Sequence, residues 1–102
     1  MIENAKSNES KTIQKETPEI ISLIIAKIIS DEKTDNENLV FDSYEEKIWN
    51  SKSMGCPVNG MNYVQVITSG YKLNIIKNKE KEEYHADLNG NYINCTEILK
   101  SN

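Results

Sequence analysis

Three side chains in this sequence have types that could perform chemistry: Cys56, His85 and Cys95. A cysteine attacks a substrate as the thiolate, which requires a neighbouring base or a lowered pKa. His85 is the only histidine of the chain and therefore the only base of the usual kind for a nearby thiol. Because free cysteines are most often small buried side chains, the sequence favours a structural Cys56 over a nucleophilic one.

The two cysteines lie far apart in the sequence, Cys56 in a predicted loop and Cys95 at the end of the last predicted strand. The ends of a meander can meet, so the two sulfur atoms form a possible disulfide or close thiol pair. A zinc site made of both cysteines with His85 and Asp87 is conceivable. No Cys-x-x-Cys or His-x-x-x-His spacing supports it, so no metal site is predicted.

Most familiar reaction types lack their residues here. The sequence contains no phosphate-binding glycine loop, no Gly-x-Ser-x-Gly, no pair of metal-binding histidines and no paired-acid motif. We therefore expect no enzymatic activity and no cofactor. Sixteen acidic residues against twelve basic ones give a net charge of −4, which argues against a nucleic-acid partner.

The first element predicted to support these groups is a helix that contains a run of isoleucines. Thr17 is predicted as the N-cap, Pro18 as the first helical residue and Glu19 as an acid favoured by the helix dipole. The polar stretch 31–38 is predicted to end the helix, and the apolar face requires a sheet to cover. That face repeats at helical spacing and consists of Ile20, Ile21, Ile24, Ile25 and Ile28.

The second half of the chain supplies the sheet. Apolar patterning predicts strands at 39–49, 62–68, 71–77, 82–87 and 92–95, separated by turns at Ser69-Gly70, at 78–81 and at 88–91. A bulge near Ser43 would bring Ile48 back to the inner face. Residues 96–102 are expected to fray. The predicted class is α+β, with one N-terminal helix packed on a four- to five-stranded antiparallel meander sheet.

Residues 1–16 are polar and are predicted to form a disordered N-terminal arm, with residues 17–99 as a single α+β domain. The first residues lack the apolar stretch of an export signal. The run at 20–29 is too short to span a bilayer and contains Lys27. We therefore expect a cytoplasmic protein without membrane insertion, in which the compartment sets the redox state of the cysteines.

A distinctive set of residues covers about half of the chain: Trp49, Ser53, Met54, Gly55, Cys56, Pro57, Gly60, Tyr63, Thr68, Gly70, Tyr71, Tyr84, His85, Gly90 and Cys95. This pattern resembles a family of short, mostly uncharacterised bacterial proteins, many from photosynthetic bacteria. Met54 and Ser69 replace a leucine and a proline of that pattern. Many such relatives are exported or lipid-anchored, and no activity is established for them. The resemblance therefore supports the fold and implies no reaction.

A weaker resemblance links residues 65–70, Gln-Val-Ile-Thr-Ser-Gly, to the inhibitory hairpin of cystatins, which reads Gln-Val-Val-Ala-Gly. Cystatins also place one helix before an antiparallel sheet. The Pro-Trp pair of their second hairpin is absent between residues 77 and 95. The resemblance implies an inhibitor of cysteine peptidases, and we keep this function as an alternative.

Aromatic residues complete the set of candidates, because exposed aromatic side chains often anchor interfaces. Tyr84 and His85 are neighbours in a strand and point to opposite sheet faces. If Tyr84 faces the helix, His85 and Asp87 face outward on an open surface.

The sequence thus predicts a small soluble binding or accessory protein that engages a protein partner through its open sheet face and the loop 54–60. A thiol-dependent redox protein is the third alternative. The predicted partner-binding residues are Trp49, Met54, Gly55, Pro57, Tyr63, Gln65, Tyr71 and His85.

Overall fold

The computed structural model describes residues 17–35 and 37–102. Its elements are α1 (Glu19–Glu32), β1 (Leu39–Trp49), β2 (Thr68–Lys77), β3 (Glu80–Asp87), β4 (Tyr92–Asn94) and α2 (Cys95–Ser101). The strands form one antiparallel sheet in the order β1-β2-β3-β4. The predicted α+β class, an N-terminal helix on a meander sheet, is confirmed. The predicted arm 1–16 lies outside the described residues, and the domain boundaries at 17 and 99 stay a prediction.

Helix α1 covers one face of the sheet with three fully buried isoleucines, Ile21, Ile24 and Ile28. Their spacing places them on one side of the helix, as the sequence predicts. Against them lie alternate residues of the two central strands: Tyr71, Leu73, Ile75, Tyr84 and Ala86. Burial of each isoleucine contributes about 1.5–3 kcal/mol, so packing holds a helix whose β-branched residues have low intrinsic propensity. Among the described residues, neither helix has the length and apolar character needed to cross a membrane.

The ends of α1 differ from the prediction. Thr17 is not the N-cap: Pro18 precedes the helix with φ −56° and ψ 140°, and no side chain caps the first turn. Proline fixes φ and here takes an extended ψ, so the helix begins one residue later. The helix also continues through Asp31 and Glu32 and ends at Lys33, whose left-handed φ of 55° stops it.

A partly buried polar cluster joins the end of α1 to the sheet. The Tyr84 hydroxyl donates to Glu32 Oε1 at 2.8 Å, and Lys77 Nζ donates to the same carboxylate at 2.5 Å and to the hydroxyl at 3.1 Å. Burial alone would lower the pKa of Lys77, but its hydrogen bonds to Glu32, Tyr84 and Glu82 outweigh it and raise that pKa. Burial raises the pKa of Tyr84, so the hydroxyl keeps its proton and donates.

Replacing Tyr84 with phenylalanine is expected to lower the free energy of unfolding by about 2 kcal/mol, because a partly buried hydrogen bond to a charged group is lost. Urea denaturation measures this loss. Tyr92→Phe is the matched control, since its hydroxyl donates to Asp31 at an exposed position. The control should lower the free energy of unfolding by less than about 1 kcal/mol. Equal losses in the two variants would contradict the assignment of a stabilising role to the polar cluster at the end of α1.

The predicted bulge in β1 is confirmed, because the register with β2 shifts between Phe41 and Ser43. The bulge returns Ile48 to the face that α1 covers, as predicted, because its pairing with Ser69 continues the alternation of Tyr44 with Leu73; its side chain is nevertheless 68% exposed. Ile48 pairs with Ser69 at the far end of the strand, and the hydrophobic cluster under α1 does not include it. The alternation of inward and outward side chains resumes after the bulge, but the hydrophobic core ends before Ile48.

Two predictions about the sheet are wrong. Residues 62–67 form no strand, and Ser69-Gly70 lies inside β2 rather than in a hairpin turn. Residues 96–102 do not fray, because α2 begins at Cys95. Its N-cap is Asn94, whose Oδ1 accepts a hydrogen bond from the Glu97 N–H at 3.0 Å. The sheet therefore has four strands and is followed by a second helix.

Candidate functional site

The loop that follows β1 folds back over the sheet face opposite α1. Two consecutive residues with positive φ, Met54 at 50° and Gly55 at 82°, turn the chain there. A Cβ added to Gly55 would lie 3.3 Å from the Trp49 ring and 3.6 Å from His85 Nδ1. Glycine therefore permits both the backbone angle and the close approach of the loop to these two rings.

His85 lies under this loop and is buried. Its ring stacks on the Trp49 indole, with centroids 4.4 Å apart and planes 16° from parallel. Trp49 Nε1 donates to the carbonyl oxygen of Ala86 at 3.0 Å, which fixes the indole on the sheet. His85 does point away from α1, as the sequence predicts. The predicted openness of that face around His85 and Asp87 is wrong, because both residues are buried.

Both ring nitrogens of His85 face hydrogen-bond acceptors. Nδ1 lies 2.6 Å from the carbonyl oxygen of Met54, and Nε2 lies 2.5 Å from Glu83 Oε2. Each nitrogen thus has an oxygen acceptor within hydrogen-bond distance. The imidazole is therefore clamped between the loop and its own strand, and Cys56 Sγ lies 3.5 Å from Nδ1.

Cys56 and Cys95 form a disulfide that joins the loop to the first residue of α2, with Cα atoms 5.7 Å apart. Sequence analysis left open whether the two sulfur atoms meet, and the structure bonds them. Both residues are at least 95% buried. Thiol–disulfide exchange requires access to a sulfur atom, so the folded protein shields this bond from attack.

Gly70 lies on the same face of β2, directly beneath Trp49. A Cβ at this position would stand 1.9 Å from the Ala86 carbonyl oxygen and 2.9 Å from Trp49 Nε1. The absence of a side chain therefore lets the indole reach the backbone of β3. The glycine that the sequence assigned to a turn instead permits close packing.

Asp87 is the last residue of β3, and its side chain contacts the turn that follows. Its carboxylate accepts hydrogen bonds from the Asn89 and Asn91 backbone N–H groups and from the Asn91 side chain. Burial alone would raise the pKa of Asp87, but these hydrogen bonds lower it below its ordinary value. The carboxylate is thus committed to the turn that the sequence predicts at 88–91.

The eight predicted partner-binding residues separate into two groups. Four have buried side chains that help hold the loop or the core: Trp49, Met54, Tyr71 and His85. The other four lie nearer the surface, with Tyr63 partly buried and three exposed: Gly55, Pro57 and Gln65. The loop and the sheet face that were predicted to bind a partner together are therefore packed against each other around His85.

Sequence reasoning missed a surface beside this loop. Residues 58–67, which we call the apolar segment, expose five large hydrophobic side chains: Val58, Met61, Val64, Val66 and Ile67. Two more exposed apolar residues, Ile48 and Leu88, line a shallow depression of about 440 Å³ at the adjacent end of the sheet. The β-branched pattern of this segment predicts a strand, and no feature of the sequence separates an exposed segment from a half-buried strand.

Comparison with known proteins gives one match. No curated protein and no solved structure matches the chain. A family model described as Domain of unknown function (DUF8738) matches residues 21–95, which include the three buried isoleucines of α1, the whole sheet and both cysteines. The similarity to cystatins is not supported, since the hairpin on which it rested is not formed. The chain belongs to the DUF8738 family of domains of unknown function.

Proposed function

We propose that this protein is a small, non-catalytic binding module that engages a protein partner through the apolar segment. The observation that supports this is the distribution of exposed apolar side chains. Ten large hydrophobic residues are exposed among the described residues, and five of them lie within residues 58–67. Contiguous exposed apolar surface on a small protein is typical of an interaction site.

The most exposed members are Ile67, at 74%, and Val64, at 66%. Burial of such a side chain against a partner contributes about 1.5–3 kcal/mol, so a few anchors suffice for a specific complex. The depression beside Ile48 and Leu88 extends the apolar surface along the end of the sheet. We expect a partner with a complementary apolar ridge that contacts both parts.

The apolar segment is held in place before it meets a partner. Lys52 N–H donates to the Val64 carbonyl oxygen at 3.0 Å, and Val58 N–H donates to the Tyr63 hydroxyl at 3.0 Å. The disulfide at Cys56 fixes the preceding residues, and β2 begins at Thr68. A segment ordered in advance loses less conformational entropy on binding, which favours affinity.

The arrangement of the potential catalytic groups also supports a non-catalytic role. His85 has an acceptor at each nitrogen, and the sulfur of Cys56 is bonded to that of Cys95. A nucleophile and its base must both be free to reach a substrate. The redox-protein alternative has the same difficulty, because the disulfide is buried.

Site-specific photocrosslinking tests the proposal. A photoreactive amino acid replaces Ile67 or Val64 in the full chain, which is expressed in its native cells and irradiated. We expect one discrete protein adduct from both positions. Leu99, at 67% exposed, and Leu23, at 60%, are matched control positions on the two helices and should give none.

A binding measurement then uses the captured partner. The Val64→Glu and Ile67→Glu variants should bind it at least about tenfold more weakly, because a charge would be buried at the interface. Leu99→Glu should bind as wild type does. All variants change exposed residues, so circular dichroism should show unchanged folding. Equal adduct formation from all four positions, or undiminished binding by both glutamate variants, would refute the proposal.

A further inference from the structure

We propose that reduction of the Cys56–Cys95 disulfide creates a Zn²⁺ site whose protein ligands are Cys56 Sγ, Cys95 Sγ and His85 Nδ1. This inference goes beyond partner binding and does not depend on it. It concerns the form of the protein in a reducing compartment, such as the cytoplasm that the sequence predicts, where thiols persist.

The three ligand atoms already lie together. All of them are within 4.8 Å of one another, and Nδ1 is 3.5 Å from Cys56 Sγ. Zinc binds sulfur at about 2.3 Å and imidazole nitrogen at about 2.0 Å in a tetrahedron, which places ligand atoms roughly 3.5–3.8 Å apart. The nitrogen-to-sulfur distance therefore fits. The two sulfur atoms need to separate to about 3.7 Å once their bond is broken, which side-chain rotation allows.

His85 also has the support that zinc-binding histidines require. Its Nε2 faces the Glu83 carboxylate at 2.5 Å, and a hydrogen on Nε2 leaves Nδ1 free to bind a metal ion. A carboxylate behind a ligating histidine orients the ring and increases its affinity for the ion. The Trp49 ring, stacked on the imidazole, further limits its rotation. The histidine is thus held in a ligating orientation by groups that do not themselves bind metal.

The surroundings of the three residues suit a buried metal ion. Cys56, His85 and Cys95 are at least 94% buried, and the loop with Met54 lies over them. Three protein ligands leave the fourth tetrahedral position to a solvent oxygen. The charge of the ion is balanced by two thiolates, so the buried site is neutral apart from the Glu83 carboxylate at its edge.

The chemistry is a two-electron reduction followed by ligand exchange. Because the folded protein shields the bond, reduction requires local opening of the loop, during which a dithiol reductant breaks the S–S bond, becomes a disulfide itself and leaves Cys56 and Cys95 as thiols. Zn²⁺ then displaces the two thiol protons, which pass to solvent, and binds Nδ1 of the neutral imidazole whose hydrogen is on Nε2 toward Glu83. The close approach of Nδ1 to the Met54 carbonyl oxygen is given up in this step.

Metal titration of the full chain, oxidised and reduced without oxygen, tests the proposal. The reduced protein should take up one equivalent of Zn²⁺ in competition with a chromophoric chelator, and the oxidised protein none. Co²⁺ in place of Zn²⁺ should give thiolate-to-metal charge-transfer absorption and the intense visible bands of a tetrahedral site. If the reduced chain unfolds, added Zn²⁺ should restore its circular dichroism spectrum, since metal binding then supplies folding energy.

Two variants identify the role of the histidine. Glu83→Gln should weaken Zn²⁺ binding about 10- to 100-fold, and His85→Gln at least as much. Glu45→Gln is the matched control, because Glu45 and Glu83 both pair with Lys72 but only Glu83 contacts His85. The control should bind as wild type does. Failure of the reduced chain to take up Zn²⁺, or equal affinities of wild type and His85→Gln, would overturn the proposal.

Discussion

Replacing Gly70 with alanine is expected to lower the free energy of unfolding by at least about 3 kcal/mol. The new Cβ would stand 1.9 Å from the Ala86 carbonyl oxygen, which is backbone and cannot rotate away. Relief of this contact requires β2 and β3 to separate, and the Trp49 indole, 2.9 Å from the new Cβ, must also shift from its bond to Ala86. Urea denaturation followed by fluorescence of Trp49, the only tryptophan, measures the loss and reports the change around the indole.

Two control substitutions separate the steric clash at Gly70 from backbone strain and from the effect of changing an exposed strand residue. Gly60→Ala introduces a Cβ at φ +85° with no atom within 4 Å, so it should cost about 1 kcal/mol from backbone strain alone. Ser69→Ala changes an exposed neighbour in the same strand and should remain within about 0.5 kcal/mol of wild type. A Gly70→Ala protein as stable as Ser69→Ala would show that Trp49 and Gly70 do not pack as described.

Replacing both Cys56 and Cys95 with alanine is expected to lower the free energy of unfolding by about 4 kcal/mol in oxidising buffer. The disulfide spans a sequence separation of 39 residues, and closing so long a loop removes much entropy from the unfolded chain. The small volume change at two buried positions adds to the loss. Chemical denaturation of the oxidised wild type and the double variant, without added metal, gives the difference.

Single variants provide the control for this effect. Cys56→Ala and Cys95→Ala each abolish the bridge, so each should lose nearly as much stability as the double variant rather than half of it. Wild type under reducing, metal-free conditions should lose a similar amount. If oxidised wild type and the double variant unfolded at the same denaturant concentration, the disulfide would contribute nothing and this account would be wrong.

The fold was predictable where local signals and tertiary packing agree. The isoleucine spacing of α1 identifies the face that Ile21, Ile24 and Ile28 bury, and the bulge near Ser43 follows from a break in alternation. The helix start was not predictable from Thr17 alone, because Pro18 sets its own backbone angles. The exposure of Ile48 depends on how far α1 reaches along the sheet, which no local pattern encodes.

The candidate site was likewise predictable in part from local sequence patterns. Parity along β3 correctly separates Tyr84 from His85, since adjacent strand residues face opposite sides. That Trp49 would pack onto β3 beside His85 depends on Gly70, whose role is read from the position of Trp49 in space. Glycine next to serine looks the same in sequence whether it permits a turn or a close approach. The exposed apolar segment was misread for a related reason, because β-propensity does not reveal burial.

The bond between Cys56 and Cys95 also makes the intervening chain a closed covalent ring that contains β2, β3, β4 and the apolar segment. Helix α1 and strand β1 lie outside it. A single proteolytic cut at an exposed position such as Val64 therefore opens the ring without releasing a fragment. The two pieces remain one molecule until a reductant separates them.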